Sequence, residues 1–272
     1  MLRKILMGLA IGIFIFDVLL TGGVMYVRRQ YTLPHEMPLA DNLQAAVSPK
    51  IEAELHGCRA ESSGDESLAA RALVPEPRVT FVSTADEATQ VSARITNLDA
   101  SRADIVGAQR IDEEGEPGVL AFTTEVPAGG RKEVRIRRPT GGDGTFTFYV
   151  CGDSHGHRHA MGQILARAEE EKPAFLIELG DIINEPDNPE KLEEVMRNKK
   201  EYLAGHAVPY LPVLGDESVR DEAKTAREWK RVFGPTYYSF TYGDAQFIVM
   251  DTAEGYISGK QLDWLEQRLD EG

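Results

Sequence analysis

The sequence predicts an α/β protein built in series: an N-terminal transmembrane helix, a small β-sandwich, and then an α/β sandwich. Three patterns predict it. A nearly unbroken apolar run spans Ile5 to Val27; short segments alternating apolar and polar residues fill Arg78 to Pro139; from Phe146 onward apolar strands alternate with helical spacing.

The apolar run is opened by Arg3 and Lys4 and closed by Arg28 and Arg29. As a helix it spans about 30 Å of hydrocarbon. Residues 1–30 are therefore expected to be an uncleaved signal anchor. Thr21-Gly22-Gly23 offers a weak match to a cleavage site, and Asp17 is a costly residue in mid-span. The α-amine beside Arg3 and Lys4 tips the charge balance and places the remainder of a single-pass chain outside the cytoplasm. Residues 31–77 carry Pro34, Pro38, Pro49, Pro75 and Pro77 among polar residues and read as a linker. Leu43, Ala46 and Val47 leave room for a short helix around Asp41 to His56.

Residues 78–140 read as the β-sandwich, with strands over Val79–Val82, Val91–Ile95 and Glu133–Ile136. The acidic stretch Asp112 to Glu116 lacks the alternating ligand order of a calcium loop and is expected to be a solvated turn. With 44 acidic against 30 basic residues the formal charge is −14, which argues against nucleic acid or an anionic lipid surface as partner. The two cysteines, Cys58 and Cys151, supply neither a disulfide framework nor a thiolate zinc site.

Residues 145–272 hold the chemistry. Phe146 to Val150 reads as a strand ending in Cys151-Gly152-Asp153-Ser154-His155, followed by a helix carrying Met161, Ile164, Leu165 and Ala168 on one face. Phe175 to Leu179 is a second strand, ending in Gly180-Asp181-Ile182-Ile183-Asn184; its helix carries Leu192, Val195, Met196 and Leu203. A third strand, Pro209 to Leu214, ends in Gly215-Asp216-Glu217-Ser218. One Gly-Asp pair is ordinary turn chemistry, but three at successive ends of a parallel sheet deliver ligands to one edge. Further on, a hairpin is expected to turn at Gly243-Asp244. Ser258 with Gln261 makes a capping box for a helix with Leu262, Leu265 and Leu269.

These blocks resemble those of the calcineurin-like metallophosphoesterases, which read D-x-H, G-D-x-x-D/N and G-N-H-D/E. The segments Phe233 to Phe240 and Phe247 to Thr252 resemble the purple-acid-phosphatase-like branch. The resemblance implies a metal-dependent phosphoester hydrolase with two divalent ions (manganese, iron or zinc). Asp153 and His155 would hold the first ion, Asp181 would bridge both, and Asp216 would serve the second. The third block departs from the family: Asp216 stands for Asn, and Glu217 for the histidine that contacts phosphate. The later histidine blocks do not precede Gly272, so a truncated catalytic domain with impaired turnover is expected. The alternative is a non-catalytic, membrane-anchored binding or scaffolding module on the same fold. His157, His159 and His206 are expected to be solvated rather than replacement ligands.

Overall fold

A computed structural model describes residues 38–39, 43–111, 116–141, 143–184, 189–216 and 228–271. The apolar run Ile5–Val27 lies outside these residues. Among the described residues no helix is long and apolar enough to cross a membrane.

Residues 43–137 form two five-stranded sheets. One has the order β1 (Leu43–Ser48), β2 (Ile51–His56), β5 (Arg78–Ser83), β10 (Arg131–Arg137), β7 (Asp104–Val106). The other runs β3 (Cys58–Gly64), β4 (Ser67–Ala72), β6 (Thr89–Thr96), β9 (Val119–Val126), β8 (Gln109–Ile111). Period-two burial explains the pairing. Ile51, Ala53 and Leu55 of β2 and Val79 and Phe81 of β5 turn inward against Leu68 and Ala70 of β4, Val91 and Ile95 of β6 and Phe122 of β9, forming one core.

The three strands read from sequence fall within β5, β6 and β10. The linker reading of 31–77 and the helix reading of Asp41–His56 do not hold for residues 43–72, which form β1 to β4. The helical spacing of Leu43, Ala46 and Val47 misleads because Ala45 and Val47 face the core at a spacing of two, continued by Ile51, Ala53 and Leu55 across a tight turn. Of the acidic turn, residues 112–115 lie outside the described residues, while Glu116 pairs with Arg94.

The second layer is a parallel three-stranded sheet, β11 (Tyr149–Gly152), β12 (Leu176–Leu179) and β13 (Tyr210–Val213), in register at Tyr149, Leu176 and Tyr210. Helix α1 (Arg158–Glu171) links the first two strands. Helix α2 (Leu192–Ala204) precedes the third. Met161, Leu165 and Ala168 of α1 and Leu192, Met196 and Leu203 of α2 pack with Leu176 and Tyr210 on one face. On the other face Phe175, Ile177, Leu211 and Val213 meet the hairpin of β14 (Tyr238–Tyr242) and β15 (Ala245–Val249), whose two-residue turn is Gly243-Asp244 with φ of 57° at Gly243. Phe175 sits at the centre, its ring 5.2 Å from Phe240 and 5.0 Å from Phe247.

Polar side chains join the sandwich to this layer. The Asn97 amide donates to the carbonyls of Ala72 and Tyr210 and accepts from the Tyr210 N–H, each at 2.9 Å, so it occupies the backbone groups of β13 as a strand would. Buried Arg138 donates to Asp99 at 2.8 Å, to the Pro173 carbonyl at 2.9 Å and to that of Ala174.

Residues 255–272 belong to a separate compact unit whose helix, α3 (Gly259–Glu271), starts as the sequence predicts. The Ser258 hydroxyl accepts the Gln261 N–H at 3.1 Å.

Candidate metal centre

Glycines at three strand ends let the backbones converge. A Cβ on Gly152 would lie 2.6 Å from the Leu179 carbonyl oxygen, and one on Gly215 would lie 2.2 Å from both the amide nitrogen and Oδ1 of Asp181. Neither position accepts a side chain without displacing its neighbour. The residues after these turns take unusual conformations. Asp153, His155 and Asp181 all have positive φ, at 57°, 44° and 44°. Left-handed backbone at three non-glycine residues in one small region is the kind of local strain that gathers at functional sites.

The loops are laced together by backbone bonds. The amides of Asp153, His155 and Gly156 donate to the carbonyls of Gly180, Asp181 and Ile182, at 3.3, 2.8 and 3.2 Å. The result brings a ligand atom from each of Asp153, His155 and Asp181 within 4.8 Å of one another. Two carboxylates and an imidazole are donors that a divalent ion could take.

His155 is oriented for such a role. Its Nδ1 lies 2.8 Å from Asn184 Oδ1, the arrangement that fixes a ring tautomer and leaves Nε2 for a metal. Nε2 is 2.6 Å from Asp153 Oδ1. Burial pulls the His155 pKa down, but the Asn184 hydrogen bond and the Asp153 carboxylate outweigh it, and the pKa lies above its usual value. Below that pKa a metal must displace a proton, so Mn(II) affinity is expected to fall by up to about tenfold per unit as pH drops further. Calorimetric titrations across a pH series check this; a flat profile would remove His155 from the ligand set. Without metal the sign is reversed: the raised pKa contributes stability at low pH that is lost as pH rises through it.

Asp216 follows Gly215 on the same sheet edge, but it is not among the groups that converge within 4.8 Å among the described residues. Glu217 lies outside the described residues. Groups that could hold one ion thus converge here, and no second such group converges among the described residues. His157 and His159 are exposed, and His206 pairs with Glu169 at 2.6 Å.

Beneath the loop lies a polar cluster that the sequence reading missed. Glu178, on β12, is fully buried; it accepts from Tyr210 OH at 2.5 Å and pairs with Lys199 of α2 at 3.2 Å. Lys199 Nζ also donates to Ser154 Oγ at 3.1 Å. Burial and the Glu178 carboxylate raise the Tyr210 pKa well above the usual value and keep the phenol protonated. The same two influences push the Cys151 thiol up to about 11, which makes it a poor nucleophile. The available signals were a glutamate inside an apolar strand and a lysine on the apolar face of α2.

Residues 146–245 match the calcineurin-like phosphoesterase family. No curated protein matches the chain. Among solved structures, α-galactosidase I from Mortierella vinacea aligns at 13% identity and a TM-score of 0.21, and a GH30 endoxylanase from Clostridium papyrosolvens at 13% and 0.20. Each alignment covers 36% of this chain and only 23% of the other chain, and scores this low say nothing of shared fold or activity.

Proposed function

We propose, with the calcineurin-like phosphoesterase match as premise, that this chain is a metal-dependent phosphoester hydrolase homologue whose centre is Asp153, His155 and Asp181. Their convergence within 4.8 Å is the observation that carries the reading. A divalent ion held there supplies Lewis acidity, polarising a phosphoryl oxygen and making water more acidic. The chain's own groups do the rest. Asn184 keeps His155 Nδ1 protonated and Nε2 available. The Asp153–His155 loop leads directly into α1, whose first turn carries no acidic residue, so its backbone N–H groups favour a phosphate nearby.

Turnover by this polypeptide is expected to be slow. Asp216 adds a negative charge where relatives carry Asn, and Glu217 removes the positioned histidine, a loss worth about a hundredfold to ten-thousandfold in rate. Initial rates on bis-p-nitrophenyl phosphate with Mn(II), Fe(II) or Zn(II), with and without chelator, test the reading. Slow, chelator-sensitive hydrolysis supports it; brisk turnover would show that other residues complete the site. The Ile5–Val27 run supports a further proposal, that the chain is membrane-anchored with residues after about Gln30 outside the cytoplasm. Protease added to spheroplasts should remove them.

A further inference from the structure

We infer that Lys199 is a positioning residue for the metal loop: its buried ammonium, braced by Glu178, holds the Ser154 hydroxyl and so fixes the backbone that presents Asp153 and His155. The inference rests on reading those two residues as metal ligands. Ser154 sits between them, and both flanking residues are in left-handed backbone, which persists only when surrounding contacts over-determine it. The backbone bonds from the loop to the neighbouring strand end are modest, since two of the three exceed 3.1 Å. The hydroxyl adds a restraint from α2. It lies 3.4 Å from the Ile182 carbonyl, to which it donates, and accepts from Lys199 at 3.1 Å, so it ties the loop both to the neighbouring strand end and to α2.

Nothing in the packing of α2 calls for a lysine at this position. Leu192, Met196 and Leu203 share its buried face, and the buried group that the lysine answers is the Glu178 carboxylate, which a methionine would leave unpaired. The lysine is held from below by a carboxylate that also accepts from Tyr210, which leaves its ammonium aimed at Ser154. The arrangement has the form of a strut: β13 through Tyr210, β12 through Glu178 and α2 through Lys199 all bear on one loop hydroxyl.

The test is a double-mutant cycle in the full chain, read by amide hydrogen exchange of residues 153–156 and by calorimetric titration with Mn(II). Lys199→Met and Ser154→Ala are each expected to speed exchange of the His155 and Gly156 amides and to weaken Mn(II) binding by about tenfold, the scale of one hydrogen bond to a charged group. The double variant should lose little more than either single one. A lysine that merely neutralises Glu178 would give a different pattern: Ser154→Ala would leave exchange unchanged, or the two effects would add. Either result overturns the inference. Should Lys199→Met fail to fold, Ser154→Ala alone decides, because it leaves the Lys199–Glu178 pair in place. Failure of the unmodified chain to bind Mn(II) would refute the ligand reading, while the exchange data would still judge the positioning role.

Discussion

Asp181→Ala is expected to abolish measurable Mn(II) binding while leaving the fold intact. Asp181 brings the carboxylate from the second strand end to the pair supplied by the first, and without it the remaining donors are two neighbours on one loop. Losing a residue that only orients a ligand costs about 10–100-fold in metal affinity, so loss of a charged ligand should exceed about a hundredfold. Asp181→Asn is the informative control, because asparagine tolerates the left-handed backbone and keeps an oxygen donor while losing the charge. Calorimetry on both variants, with a melting curve to show folding, measures the effect. Wild-type affinity in Asp181→Ala would mean that the cluster is not the binding site.

Arg138→Ala is expected to destabilise the protein by about 3–5 kcal/mol, the range for breaking a buried charge pair by removing one partner. Arg138 and Asp99 are both almost wholly buried, and the guanidinium also satisfies the Pro173 and Ala174 carbonyls. Arg102, which bonds Asp99 at 2.7 Å and Pro173 at 3.0 Å, tempers the loss without replacing the contact to Ala174. Urea denaturation followed by far-UV circular dichroism gives the value. A change below about 1 kcal/mol would place Arg138 with ordinary surface ion pairs.

The parallel sheet and its loops were legible because each carries its own physics. Apolar strands of a sheet covered on both faces read as continuous runs, and the Gly-Asp endings that place Asp153 and Asp181 are local turn chemistry. The hairpin at Gly243-Asp244 was legible for the same reason. The first half of the sandwich was not. Its strands read LQAAVS, CRAESSG and SLAARA, where alanine and serine weaken the β signal and where prolines at 49, 75 and 77 resemble those of a linker. Only pairing with strands far away in sequence makes them a sheet: β4 lies parallel to β6, and β2 lies antiparallel to β5. The support beneath the site was hidden likewise, because the contact of Lys199 with Ser154 spans 45 residues and depends on how α2 lies on the sheet.

The left-handed backbone at Asp153, His155 and Asp181 sets stability against function at the same three positions. Glycine relieves such a conformation at no steric cost, so a selection for thermal tolerance alone would drive these codons toward glycine and erase every proposed ligand as it succeeded. A requirement for metal would hold two aspartates and a histidine there against such optimisation. Directed evolution for heat stability, run on this chain with and without a requirement for metal, would part company first at these three residues.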